Sequence, residues 1–565
     1  MKKKCVLALL VLSSAAFVFA SPRGEQELVE CGSWVYDSLT SIELESGITS
    51  FADSTPISIQ EIKTYLNDID REKLSNVGKS EYDRIFSYFK ESNISFNSGI
   101  FSLGLEPSVN LEGYYKSNND IDWIYDRYSR KPFLEAPAVF SAGDFLTMRV
   151  GLEFSQNKGY MSHDDNYINI PFAADQMDVN FPNYSYISTG HKFTEDCGIS
   201  FHLGMGPQSV GRTLTGSVIQ SEYFTGSTYA NLGLYSNNLK YNMTVTQFNV
   251  DKYMYSHRID VRLFKKLQFS VEEAMLVNAP IELRFLNPWT IYHGMSPWRD
   301  YEPESDDSES HTCAYMCFKA SYVPIKYLRI YGLFAQDQFQ TAYELENWPE
   351  DTTPNGIGFQ LGAESYIPCN DGYFHAALEG YYADPYLYIK EDPNWSLVRT
   401  YSENIGDMAV FYEWVGSPFG PDTISCELKT GYIKPNRWSV EGAYLFMARG
   451  KMSGTNVFTD YPVDWGGQDT TADDSYWVYP DSGNEGGQEE AKRKQSLVTP
   501  TGIPEYVNRI SVLGTYKPLE YLTLSIQPGY SFYYNYNNIE GEFRHGAECA
   551  VSVTFDLCGL HLFNK

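Results

Sequence analysis

From about residue 99 to its end, the chain alternates apolar and polar residues with a period of two. Near the C-terminus Leu522, Leu524 and Ile526 alternate with Thr523, Ser525 and Gln527, and Val551, Val553, Phe555 and Leu557 alternate with Ser552, Thr554 and Asp556. Successive side chains of a strand point to opposite faces, so each run predicts a strand with one apolar and one polar side. The pattern opens at Phe101, Leu103 and Leu105. The chain supplies no obvious second layer for the apolar faces, and the polar faces are rich in Ser, Thr, Asp and Glu. The pattern predicts a mainly β protein: a large transmembrane antiparallel β-barrel over residues 98–565, apolar toward lipid and polar toward its lumen.

Turn signals fit that reading. Short polar steps with Pro or Lys recur at 263–267, 322–327, 432–438 and 516–521. Proline is excluded from a central ladder, so these are expected to be hairpin turns, with the neighbouring Tyr and Trp at a membrane–water boundary. Long acidic connections lie between them, at 156–184, 297–311, 383–422 and 451–508. Short turns at one end and long loops at the other are the asymmetry of outer-membrane barrels. At about 25 residues per strand with its connection, the region allows roughly 16–18 strands. A secreted, soluble β-rich protein is the competing fold.

Before residue 98 the period changes. Val35, Leu39 and Ile42 fall at helical intervals, and Ser58 with Glu61 forms a capping box ahead of Ile62, Tyr65, Leu66 and Ile69. Tyr82, Ile85, Phe86 and Phe89 mark a third helix. Residues 21–97 are therefore expected to be a small helical domain, placed in the periplasm because an even-stranded barrel keeps both termini there. Lys2, Lys3 and Lys4, an apolar run to Phe19 and small residues to Ala20 predict a signal peptide over residues 1–20, cleaved after Ala20.

Charge narrows the partners. Removing that leader, with its three lysines and no acid, takes the formal charge from −29 to −32. Such a chain lacks the basic face that nucleic acid requires. The 45 Tyr suit the aromatic girdles of a barrel. The eight cysteines after the leader are dispersed, without zinc spacing, and leave room for one or two bridges. The glycine-rich stretch 204–217 has no P-loop lysine and no G-x-S-x-G elbow, so neither phosphate cradling nor a serine nucleophile is indicated. No cofactor, no metal and no enzymatic activity are expected. Asp306-Asp307 and Asp473-Asp474 reproduce no EF-hand loop, although acidic outer loops offer sites for divalent cations.

Taken together, Val35-Tyr-Asp-Ser-Leu39, Pro56-Ile-Ser-Ile-Gln-Glu61, the 204–221 segment, Glu272-Glu273 with Leu286-Asn-Pro288, and the turns at 380–386 and 416–422 resemble the Wzi family of capsule-assembly proteins. The resemblance implies a barrel with a helical bundle, acting without catalysis as a lectin that holds capsular or other surface polysaccharide at the cell surface. Under it, Arg212, Arg284, Trp289 and Trp298 are the candidate polysaccharide-binding residues. The two arginines are placed toward the lumen, since a charge on the lipid face costs about 2–4 kcal/mol at mid-depth. Taken alone, each tryptophan suits a membrane girdle better than a sugar ring, and a lumenal arginine equally suits a lumenal glutamate such as Glu272. The acidic run 300–309 would repel an anionic glycan, so the ligand is neutral or cationic, or divalent ions bridge it. The alternative function is a porin passing cations or small sugars.

Overall fold

The computed structural model describes residues 23–90, 94–121, 130–157, 167–178, 182–293, 312–347, 354–390, 396–405, 407–453 and 497–558. The leader, the acidic run 300–309, Trp298 and residues 473–474 lie outside them.

Two-residue alternation builds the wall. In the strand Lys252–Leu263, Met254, Ser256, Arg258, Asp260 and Arg262 are buried on one side, while Ile259 and Leu263 are exposed on the other. The strand Leu522–Tyr534 exposes Ile526 and Tyr530 and buries Ser531 and Tyr533. Outward side chains stay uncovered: Leu361 is 64% and Ile510 56% exposed. Water penalises a continuous apolar surface of this kind, and lipid tails do not.

The sheet has 22 segments, and pairing of Ser108–Lys116 with Phe543–Asp556 joins its two ends. Three strands are each interrupted, at Pro107, at Pro137 and at Gly151 with Leu152, and among the described residues Ile94–Ser98 pairs with Phe101–Leu105 alone, which leaves eighteen described strands in the closed ring. Proline has no N–H to give to the ladder, hence two of the breaks. Closure gives each full strand of the ring a partner on both sides, as a lipid environment demands. The count is the upper end of the expected range.

Short turns occupy 264–266, 326–327, 435–437 and 520–521, as predicted. Their prolines differ in placement. Pro435 is in a turn, whereas Pro324 and Pro518 sit within strand ends, where the pairing register shifts between Tyr322 and Ile325 and between Tyr516 and Leu519. A bulge tolerates a missing donor.

The helical unit forms where the sequence places it. Trp34–Ser46 buries Val35, Leu39 and Ile42 and stops at Gly47, whose φ of 75° suits glycine. Ile59–Leu66 starts at Ser58, whose hydroxyl accepts the Glu61 N–H at 3.2 Å. Asn76–Lys90 buries Val77, Ile85 and Phe89. The unit does not stand apart from the barrel. Thr49 N donates to Lys265 O at 2.9 Å, Tyr327 N to Leu44 O at 2.7 Å, and Gln26 Nε2 to Asp144 O at 3.0 Å. Those three acceptors and donors from the wall lie in short turns, so the helices close that end of the cylinder. All eight described cysteines are free, so no bridge forms among the described residues.

A charge at a lipid-facing position tests the wall directly. Val512→Arg is expected to weaken folding into lipid vesicles by about 2–4 kcal/mol near mid-depth. Ser511→Ala, one residue away and lumenal, should leave a urea titration nearly unchanged.

Candidate functional site: a lumen filled from both ends

Inward positions of the wall carry cations, and the helical unit meets them with acids. Lys240 Nζ lies 2.5 Å from Glu61 Oε1, with both side chains almost fully buried. Lys319 Nζ lies 2.7 Å from Asp53 Oδ1 and 3.5 Å from Asp260 Oδ1. Arg262 pairs with Asp68 and donates through Nη1 to Thr49 O at 2.9 Å. Glu61 sits on the first turn of Ile59–Leu66, where a capping box would turn it back to Ser58. It reaches the wall instead, and Tyr65 Oη donates to it at 2.6 Å. Burial tends to raise the Asp68 carboxyl, but hydrogen bonds from Lys265 and Arg262 hold it below the usual carboxylate range. Burial pushes Glu43, on Trp34–Ser46, up to about 7.

From the other end, residues 206–227 fold into the lumen. Ser209 and Val210 pair antiparallel with Thr55 and Ser54 of the helical unit, so the two fillings join as one small sheet. The Glu379 carboxylate accepts Leu214 N at 2.8 Å, Thr215 N at 3.0 Å and Tyr331 Oη at 2.5 Å. Gln360 accepts Val218 N at 2.7 Å and donates to Gly216 O at 2.7 Å. Above this loop, residues 384–390 and the hairpin Val398–Ile405 with Asp407–Trp414 pack Leu387, Ile389, Val398 and Trp414 onto Val218, Ile219 and Phe224.

Between helical unit and wall remains a polar chamber of about 40 Å³, enough for a few waters. Its lining includes Ser54, Glu61, His202, Lys240, Asn242 and Arg258. His202 Nε2 and Asn242 Nδ2 are buried there without a hydrogen-bond partner among the described residues.

The candidate binding residues do not converge. Arg212 is lumenal, as expected, and is engaged: its guanidinium lies 2.8 Å from Asp37 Oδ1 and 2.9 Å from Glu364 Oε1. Its carboxylate partner is not Glu272, which faces Arg258 at 3.4 Å. Arg284 is not lumenal. It lies in the turn Leu283–Leu286, which packs on the outside of the wall, beside Glu282 at 2.8 Å. That outward carboxylate removes the cost that the lumenal placement was meant to avoid. Trp289 is on the same outer segment and 87% exposed, and Trp298 lies outside the described residues. Trp414, in the hairpin of the long connection 383–422, is buried against Tyr388. The inward charges of the wall are legible in the sequence: Arg258, Asp260 and Arg262 alternate with Ile259, Val261 and Leu263.

By sequence, the chain matches no protein-family profile and no curated protein. By structure it is similar to Wzi, an outer membrane protein of Escherichia coli involved in group 1 capsule assembly and described as a carbohydrate-binding β-barrel. The TM-score is 0.55 at 12% identity, over 95% of this chain and 100% of that one. The fold is that of Wzi. The Wzi-type architecture expected from the sequence, a large barrel with helices ahead of its first full strand, is what the chain adopts. At this identity the likeness concerns the fold alone. The outer membrane channel DcaP of Acinetobacter baumannii (10% identity, 82% of this chain, 99% of that one, TM-score 0.34) and OmpT of Vibrio cholerae (8%, 82%, 99%, 0.33) are looser likenesses.

Removing one partner of a buried pair strands the other. Lys240→Met is expected to cost about 3–5 kcal/mol, and Lys240→Met with Glu61→Gln to recover most of it. Protease release of the helical unit from folded protein measures both. Glu43 gives a pH signature. Its folded pKa exceeds the ordinary 4.5, so between about 4.5 and 7 the folded chain holds a proton that the unfolded chain has lost. Stability therefore falls as pH rises through that window. Glu43→Gln should stabilise the helical unit by up to about 3 kcal/mol at pH 8 and leave it unchanged at pH 4, read as melting at the two pH values.

Proposed function

We propose that the chain is an outer-membrane, non-catalytic barrel that binds surface polysaccharide at its long-loop end and holds it at the cell surface. The leader is removed after Ala20, and the short-turn end with its helices faces the periplasm. The observation that carries the reading is the filled lumen: helical unit, inward loop and hairpin occupy it in succession, so chemistry with a large ligand belongs at the rim. The shared fold with a carbohydrate-binding barrel supports it. The acidity of the 300–309 run favours a neutral or cationic glycan, or one bridged by divalent cations.

A channel for cations or small sugars is the competing function and requires the lumen to empty. Purified protein in a planar bilayer separates the two. Silence, with retention of the host's extracted surface glycan on a column of immobilised protein, is the expected result. Large stable conductance steps without glycan retention would replace the lectin reading with the channel.

A further inference from the structure

Residues 279–293 leave the strand Leu267–Asn278 and fold back over the outside of the barrel. The wall beneath is identified by parity. Tyr255 pairs with Met275 and His257 with Glu273, on the face that continues as Ile259 with Val271 and Val261 with Phe269. Ile259, Val271 and Phe269 are exposed outward residues, so Tyr255, His257, Met275 and Glu273 also point outward. The segment covers them. Phe285 stacks on Tyr255 with ring centroids 5.0 Å apart, and Tyr292 stacks on His257 at 4.6 Å. Tyr241 Oη donates to Pro288 O at 3.0 Å, and Glu282 N to Tyr255 Oη at 3.0 Å.

Two observations place this strap. The first is the height of the bare wall. On Glu505–Leu519 the uncovered outward residues run from Tyr506 through Ile510 and Val512 to Tyr516. With about 3.4 Å per residue and a tilt near 40°, that spans about 26 Å, the height of a barrel's hydrocarbon band. On Lys252–Leu263 the uncovered residues run only from Ile259 to Leu263, about 10 Å by the same geometry. The strap fills the missing height, and its own outer side is apolar: Leu283, Trp289 and Ile291 are each at least 70% exposed. The second is what lies under it. His257 Nε2 is 2.9 Å from Glu273 Oε2, and Glu273 Oε1 accepts His293 N at 2.7 Å. A polar pair on a lipid-facing wall is expensive unless shielded.

We propose that residues 279–293 are a membrane-embedded strap in the leaflet at the long-loop end, and that the partner of Leu283, Trp289 and Ile291 is lipid acyl chain. The strap continues the apolar band of the barrel and seals the His257–Glu273 pair from it. The inference rests on the membrane placement of the barrel and is independent of the glycan reading.

Photocrosslinking of the full chain in phosphatidylcholine vesicles tests it. p-Benzoyl-phenylalanine replaces Leu283 or Ile291, with Val512 as a wall position and Glu195, in a short turn, as a water-facing one; heat-modifiable gel migration selects folded protein. Adducts of one chain with one lipid at 283 and 291, in yield within about twofold of 512 and absent at 195, are expected. Adducts at 512 but none at 283 or 291 overturn the strap while leaving the barrel in place, and a product of twice the chain mass at those positions assigns the face to a second copy instead. Failure at 512 as well would reject the membrane placement, and the strap with it. Trp289→Phe gives a second reading without a bulky probe. The emission lost in that variant should be blue-shifted and quenched by brominated lipid, and an unquenched, water-like difference spectrum also overturns the strap.

Discussion

Charges desolvated inside the cylinder constrain the rest of the molecule. Lys240 and Lys319 point into a space from which packed helices exclude most water, and their side chains are 3% and 2% exposed. An unpaired ammonium in such a place costs several kcal/mol, far more than the ~0–1 kcal/mol of a surface pair. Glu61 and Asp53 remove that cost only when the helical unit sits in one position. Wall and filling therefore specify each other. The pairs act less as net stabilisers, since apolar replacements of equal volume would serve as well, than as a register.

The same alternation that makes the lumen ionic makes the outside greasy, because a strand cannot set one face without setting the other. Where the outward face breaks its own rule, at His257 and Glu273, the chain lays a cover across it. Where the inward face would leave a polar void, Gln208, Ser209 and Gln220 of the inward loop border a chamber with room for a few waters. Both exceptions are handled by connections, not by strands.

This division sets what could be read in advance. Strand parity, the short turns, the three helices and the Ser58 cap are local patterns with a fixed period, and they stand where the sequence puts them. The destinations of 206–227, 279–293 and 384–422 carry no period. Their glycines, prolines and aromatics say that a loop is present and nothing about which side of a wall it returns to. Residue type cannot distinguish a lumenal arginine from one that, like Arg284, is neutralised outside by Glu282. The inward loop is visible in hindsight through the company it keeps: Glu379 and Gln360, on inward strand positions, wait for backbone donors that only a folded-in segment provides.

The way the fillings are joined bears on whether the cylinder can open. Ser54 and Thr55 pair with Val210 and Ser209, so a helical unit that moved outward would pull on the inward loop. That loop is held by its N–H donation to the Glu379 carboxylate, by Gln360, and by Tyr315 and Tyr388, whose hydroxyls both donate to Val218 O. Val218 in turn lies under the outer hairpin's cluster. An opening confined to one layer would leave its neighbour with buried unpaired groups, each costing about 1–3 kcal/mol and more where charged. Local opening of that kind is drawn from weakly held segments, and these layers are held on several sides. The arrangement favours a stationary floor beneath an outer rim, which is the geometry a surface-holding protein needs and a conducting one must undo.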